Sequence, residues 1–250
     1  MPEIIFLAVV TVVVALIFDF VNGFHDAANS ISTIVATRVL TPFQAVFMAA
    51  FWNFIGAFVF TLAIAKTVGS GIIVKEAAVV HVLLAALIGA IIWNLITWRL
   101  GLPSSSSHAL IGGLVGAAIT FGGIDAIQFS GLNKTLLFIV FAPLLGIVGA
   151  IFFTVVVFSI SRRFSPIAIN SWFKRLQLVS ASWYSLGHGT NDAQKTMGVI
   201  AAVLFSAGFI DAFRIDMWVI LAAHAAIALG TLAGGWRIVK TMGMRLTKLR

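Results

Sequence analysis

A polar nonapeptide set at the end of an apolar run limits what this chain can fold into. Residues 4–18 read Ile-Ile-Phe-Leu-Ala-Val-Val-Thr-Val-Val-Val-Ala-Leu-Ile-Phe, and Asn22-Gly23-Phe24-His25-Asp26-Ala27-Ala28-Asn29-Ser30 follows. The apolar run belongs in a bilayer, where a crossing takes about 20 residues, and the polar stretch arrives before a comfortable crossing is complete. An ionised carboxylate at that depth costs roughly 2.5–3.5 kcal/mol on insertion scales. Non-helical backbone is tolerated in lipid only where it lines a cavity or is buried in protein. Gly23 is therefore expected to permit a break at residues 22–26, with Asn22 capping the helix that restarts. The nonapeptide reads as a site.

The pattern returns 166 residues later as Gly189-Thr190-Asn191-Asp192-Ala193-Gln194-Lys195-Thr196. Sliding residues 23–57 onto 189–223 without a gap gives nine identities in 35 pairs, among them Gly23/Gly189, Asp26/Asp192, Ala27/Ala193, Phe43/Phe209, Phe47/Phe213 and Trp52/Trp218. Apolar composition alone produces some matches, but not a shared Gly-x-x-Asp-Ala with a Trp at the same offset. The chain reads as an internal duplication.

With 61% hydrophobic residues, 10% charged and a mean hydropathy of +1.11, the chain is a polytopic membrane protein rather than a soluble domain. No cleavable leader is evident at its start. The absence of cysteine excludes disulfides, thiolate catalysis and Cys-ligated metals. The net charge of +8 points to loops facing the cytoplasm and not to nucleic acid. Arg162, Arg163, Lys174 and Arg175 share one loop, and Arg237, Lys240, Arg245, Lys248 and Arg250 form the tail. Placing both inside also places Arg38 and Arg99 inside. Glu3, Glu76, Asp125, Asp211 and Asp216 then fall outside, as do Lys66, Lys75, Lys134 and Arg214, and the start of the chain is extracytoplasmic. Asp19, Asp26, Asp192 and Lys195 remain within the membrane. The expected location is the cell membrane, multi-pass, with a cytoplasmic tail.

The expected fold class is all-α, a polytopic transmembrane helical protein with inverted-topology repeats and broken helices. A first repeat covers 1–160, a basic cytoplasmic loop 161–178, and a second, incomplete inverted repeat 179–250. The first span runs from about Ile4 to Thr37; Thr41-Pro42 opens a second that reaches about Ile64. Residues 77–123 form either two full spans or a re-entrant hairpin tipped by the serines at 104–107, and both readings return the chain to the same side. A span over 134–160 has Pro143 and Gly146 as expected kinks. A broken span over 187–207 and a further one at about 217–235 follow. An odd number of crossings separates the two motifs, as in the inverted repeats of many secondary transporters.

Asp26 and Asp192 are the first site candidates. Intramembrane acids can merely pair with a basic neighbour, but two at equivalent points of an inverted repeat point to a shared central site. Asn29, Ser30, Asn191, Gln194 and Thr196 place neutral oxygens beside them, a set suited to a hard cation such as sodium. A carboxylate alone equally suits a proton. Ser104, Ser105, Ser106 and Ser107 after Gly101-Leu102-Pro103 make a good helix start, and at membrane depth a fan of hydroxyls on a helix N-terminus is an anion cradle. Lys195 either neutralises Asp192, three positions away on one helix face, or touches an anionic substrate. His25 and His188 flank the expected breaks, whereas His81 and His224 read as helix-packing residues.

At these residues the chain resembles the PiT inorganic phosphate transporter family. The family's paired signature, Gly-x-Asn-Asp-x-x-Asn-x, is seen as Gly23–Ser30, with His25 in place of Asn, and as Gly189–Thr196. The Pro-x-Ser-x-x-His turn is seen as Pro103–His108. The resemblance implies cation-coupled uptake of inorganic phosphate by a rocking or elevator-like homodimer, with sodium or a proton as coupling ion and no other cofactor. It implies phosphate ligands at the serine turn, Asn29 and Asn191, and Lys195 is a further phosphate-binding candidate on its charge. Cation ligands are implied at Asp26 and Asp192, with Asn22, His25, Ser30, Gln194 and Thr196 beside them. The offset of 166 would place the partner of Ser104 at residue 270, beyond Arg250. A second serine turn is therefore expected from a longer copy or a separate chain.

Readings from other classes are a channel-like subunit and an intramembrane hydrolase. The hydrolase would use Ser107 and His108 as nucleophile and base, or His188 and Asp192 as metal ligands. Neither requires acids at equivalent places in two repeats. Sulfate, arsenate or a metal–phosphate complex stays open as cargo.

Overall fold

The computed structural model describes residues 2–59 and 62–246, so Lys248 and Arg250 of the basic tail lie outside the described residues. Among these residues nine α-helices follow one another, and strand pairing is confined to an isolated bridge between Ile73 and Ile127. They are α1 (Pro2–Ala36), α2 (Pro42–Ile55), α3 (Ala63–Ser70), α4 (Val80–Leu100) and α5 (Ser106–Gly122), then α6 (Phe129–Ser161), α7 (Pro166–Ser206), α8 (Met217–Ala233) and α9 (Trp236–Lys240). The all-α expectation holds. Three helices, α1, α4 and α6, are long and apolar enough to cross a membrane, or up to five if each of two bent pairs counts as one span.

Helix starts follow their local chemistry. Thr41 caps α2 ahead of Pro42, with Gln44 N donating to Thr41 Oγ1 at 3.4 Å and Thr41 N donating to Gln44 Oε1 at 3.1 Å. Ser165 caps α7 ahead of Pro166 by accepting from Ala168 N at 3.4 Å, without the reciprocal bond. The segment 161–178 is consequently helical from Pro166 onward, and the expected loop shrinks to the few residues before it.

Two long helices frame the interior. At 35 residues, α1 is about 52 Å long at the α-helical rise, well beyond the hydrocarbon thickness. It packs along α8 and against α7 and α4, while α7 packs against α2, α3 and α8. The first-half helix α1 thus leans on α8 of the second half, and α7 leans on α2 of the first.

The expected breaks at 22–26 and near Gly187 are not there: α1 and α7 run unbroken through both motifs. Asn22 therefore caps nothing. The glycines serve packing instead. A Cβ on Gly23 would collide with the backbone carbonyl of Ile227 in α8, and one on Gly189 with that of Asn53 in α2. Small residues let backbones approach in this way inside membranes. The chain does bend elsewhere. One bend follows Phe58, ahead of α3, and the other turns by 55° between Ala233 and Trp236.

Residues 77–123 form a helical hairpin. Its outer ends are tied, with Val74 N donating to Ala126 O at 3.0 Å and Gln128 N donating to Ile72 O at 2.9 Å. At the other end Gly101, in the left-handed region at φ 68°, stops α4, and Ser105 caps α5 by accepting from His108 N. The serine tip lies against α1 and α7 at the motifs. By contrast α6 has no buried residue along its length and runs continuously through Pro143.

Candidate functional site

Helical spacing sets up the site. On α1, Asp19, Asn22 and Asp26 stand three and four apart and share a face; on α7, His188, Asp192, Lys195 and Thr196 do the same. Where the two faces meet, one carboxylate oxygen of Asp26, one of Asp192 and a ring nitrogen of His188 lie within 4.8 Å of one another. His188 Nε2 is 3.9 Å from Asp26 Oδ2 and 3.6 Å from Asp192 Oδ2. These separations are too long for hydrogen bonds. They suit ligands around one ion, since bonds of about 2.4 Å at right angles place ligand atoms about 3.4 Å apart.

The surrounding hydrogen bonds say which atoms face the cluster. Thr231 Oγ1 donates to the Ile227 carbonyl at 2.9 Å and accepts from Asn53 Nδ2 at 2.7 Å. Asn53 Oδ1 is thereby turned to His188 Nδ1, 3.3 Å away, which must carry the proton. In its neutral form His188 presents the lone pair of Nε2 to two carboxylates. On α1, His25 Nδ1 lies 2.9 Å from Asp26 Oδ1 and holds that oxygen aside, leaving Oδ2 for the cluster. Three electron-pair donors converge, and an oxygen, oxygen, nitrogen set of this kind takes a cation. Asp26, His188 and Asp192 are the residues that would hold it.

A lysine and a group of hydroxyls adjoin it. Lys195 Nζ is 2.8 Å from Asp192 Oδ1 and also donates to Ser107 Oγ. Ser104 Oγ donates to Thr97 Oγ1 at 3.0 Å and stands 3.4 Å from His25 Nε2, which is 3.0 Å from Thr97 Oγ1. The hairpin tip thus touches the α7 motif through Ser107 and the α1 motif through Ser104. Of the alternatives raised for Lys195, the pairing with Asp192 is present, and the same ammonium also reaches a serine hydroxyl.

Other expected members fare differently. Asn22 Nδ2 donates to Asp192 Oδ2 at 3.4 Å and so joins the two motifs. Gln194 is committed elsewhere: its Oε1 accepts from Ile64 N at 3.1 Å and Ala65 N at 3.4 Å, capping α3, whose own N-cap residue Leu62 supplies no side chain. In this arrangement it acts as a helix cap. Asn29 and Asn191 are exposed and make no hydrogen bond to the described residues. Ser30, Ser106 and Thr196 are buried with hydroxyl oxygens that lack partners. Ser107 and His108 do not form a nucleophile–base pair, because Ser107 Oγ faces Lys195 and His108 is exposed. Sequence reasoning left His188 at the margin and passed over Asn53, Thr97 and Thr231. Spacing could have raised His188, four residues before Asp192; the others owe their roles to contacts across the fold.

A family model described as "Phosphate transporter family" matches residues 22–250. The chain is 56% identical to a "Probable low-affinity inorganic phosphate transporter" of Rhizobium meliloti (strain 1021), over 95% of this chain and 72% of that protein. It is 42% identical to a protein of the same description from Bacillus subtilis (strain 168), over 100% and 76% of the two chains. With the counterpart from Mycobacterium leprae (strain TN), identity is 44% over 98% of this chain, which spans 60% of that relative's length. A solved structure described as "The sodium-dependent phosphate transporter" superposes with a TM-score of 0.80 at 24% identity, over 96% of this chain and 78% of the other.

Proposed function

The chain belongs to the phosphate transporter family, and from that premise we propose that it moves inorganic phosphate across the cell membrane in symport with a cation, sodium or a proton. The observation that carries this reading is the meeting of Asp26, His188 and Asp192 beside a lysine that also touches the serine turn. Positive charge arriving at Asp192 competes with Lys195 for the same carboxylate. Lys195, loosened from Asp192, is free to pair with an anion held by Ser104–Ser107 and the N-terminus of α5. Cation and phosphate then favour each other's binding, which is what symport requires.

The reciprocal leaning of α1 on α8 and α7 on α2 supports two inverted repeats, over 1–160 and 179–250, meeting at this site. The charge pattern supports an extracytoplasmic start and a cytoplasmic tail. The uncovered face of α6 supports a homodimer.

The test is uptake of labelled phosphate into proteoliposomes under an imposed sodium gradient, an imposed proton gradient, or neither. Accumulation under one gradient and equilibration without it is expected; equilibration under all three would leave a channel. A second reading, transport of phosphate as a complex with a divalent metal, is favoured by one observation. His188 brings a nitrogen to the acid pair, and imidazole suits transition metals better than sodium. Loss of uptake on adding a chelator, restored by manganese or zinc, would select it.

A further inference from the structure

The end of α4, just before the serines, borders a cavity of about 250 Å3. Its walls are Arg99, Leu100 and Gly101 on one side and Arg237, Lys240 and Thr241, at and after α9, on the other. The two walls are tied together. Arg237 Nη1 donates to the Arg99 carbonyl at 2.9 Å, and its guanidinium lies 5.1 Å from the centre of the Trp98 ring. Thr241 Oγ1 donates to the Arg237 carbonyl at 3.1 Å, and a Cβ on Gly101 would meet that hydroxyl at 3.1 Å. Arg237 is thus fixed at two points, and the rest of its N–H fork has no partner among the described residues.

Charge compensation is missing there. All eight acids of the chain are among the described residues, and none of them stands within 4.0 Å of a nitrogen of Arg99, Arg237 or Lys240. The carbonyls at the end of α4 offset about half of one charge, which leaves more than two positive charges around one small concavity. The preference of basic residues for the cytoplasm accounts for the side they face. It does not account for three of them, from segments 138 residues apart, closing on one cavity. We propose that this cavity binds a phosphate group other than the transported one, borne by free phosphate or by the headgroup of an anionic phospholipid. An arginine fork matches two phosphate oxygens at once, and a lysine adds a point charge. The cavity is smaller than the roughly 300–1,000 Å3 of drug-sized ligand sites, so it takes a single phosphate group rather than a nucleotide. The bound group would tie the turn that leads into the serines to the bent segment after α8. The proposal goes beyond the function proposed above, since a ligand here is held without being transported.

The test measures the melting temperature of the purified full chain in detergent, in a Lys195→Met background that weakens the transport site. In one arm phosphate is titrated against chloride at constant sodium concentration and ionic strength. In the other, phosphatidylglycerol replaces phosphatidylcholine in mixed micelles. Saturable stabilisation is expected in at least one arm. Arg237→Gln should raise the concentration for half-maximal stabilisation by about tenfold or more, and Lys240→Gln by about threefold. Lys240 bonds to nothing among the described residues, so its variant carries the test if Arg237→Gln fails to fold. Arg162→Gln, which removes a basic side chain from another segment, should leave the response unchanged. A response to free phosphate would assign the site to the soluble ion, and one confined to phosphatidylglycerol would assign it to a lipid headgroup. Three results would overturn the proposal: no stabilisation in either arm, a response that Arg237→Gln and Lys240→Gln both leave unchanged, or one that Arg162→Gln weakens equally. None of the three bears on transport through Lys195 and the serines, which uptake kinetics report separately.

Discussion

Single residues here do work that their types do not announce. Gly23 and Gly189 occupy equivalent places in the repeated motif, and each lies where a Cβ would strike a backbone carbonyl of the facing helix. Backbone cannot swing aside as a long side chain can, so Gly23→Ala or Gly189→Ala should destabilise by about 1–3 kcal/mol through overpacking. Gly112→Ala, with nothing within 4 Å of the added Cβ, should instead gain up to about 1 kcal/mol from helix propensity. Melting temperatures of the three variants in one detergent check this, and equal effects would refute the close-packing account. The sequence drew the eye to these glycines, but as hinges. A polar run in a hydrophobic helix suggests a break because unpaired backbone and polar side chains are conflated. In the fold the backbone stays paired within α1, and His25, Asp26 and Asn22 find partners on α4, on α7 and at Ser104 in the turn before α5.

At the scale of elements, the decisive piece is the hairpin of α4 and α5. Its start and stop signals were legible: Gly101 ends one helix, and the serines begin the next. Its destination was not, since nothing local to Ser107 says that Lys195 lies across from it. The hairpin tip and α7 are expected to share the anion. Lys195→Met should raise the phosphate KM by about tenfold or more, in line with loss of a charge-assisted contact, and Ser107→Ala by about threefold. Initial rates of uptake over a range of phosphate concentrations measure both. An unchanged KM in Lys195→Met would place the anion elsewhere. Gln194 shows the opposite limit of sequence reading. Its place in the motif suggested a ligand, yet α3 begins at a residue that cannot cap itself, and Gln194 fills that need.

For the whole molecule, the duplication visible over 23–57 and 189–223 corresponds to two long helices that cross-lean on each other's partners. The correspondence weakens past the motif helices. Pro42 opens α2 directly, while the matching Gly208 takes a left-handed turn at φ 77° and α8 starts later. The proposed sidedness rests on the distribution of loop charge. The chain has no cysteine, so single introduced cysteines report without background. Cysteines placed within 165–175 or near 245 should be protected from an impermeant thiol reagent in intact cells, and one near 128 should react. Labelling of the two basic segments from outside would reverse the topology.

The central claim is that one cation is shared between α1 and α7 and that phosphate accumulation depends on it. Its most direct test compares gradient-driven phosphate accumulation by Asp26→Asn, Asp192→Asn and the double variant in proteoliposomes, with insertion verified for each. Residues that act as one unit lose their effect together, so each single variant should fall by about a hundredfold and the double variant no further. Accumulation at the wild-type level in either single variant, or losses that multiply in the double, would contradict a shared site.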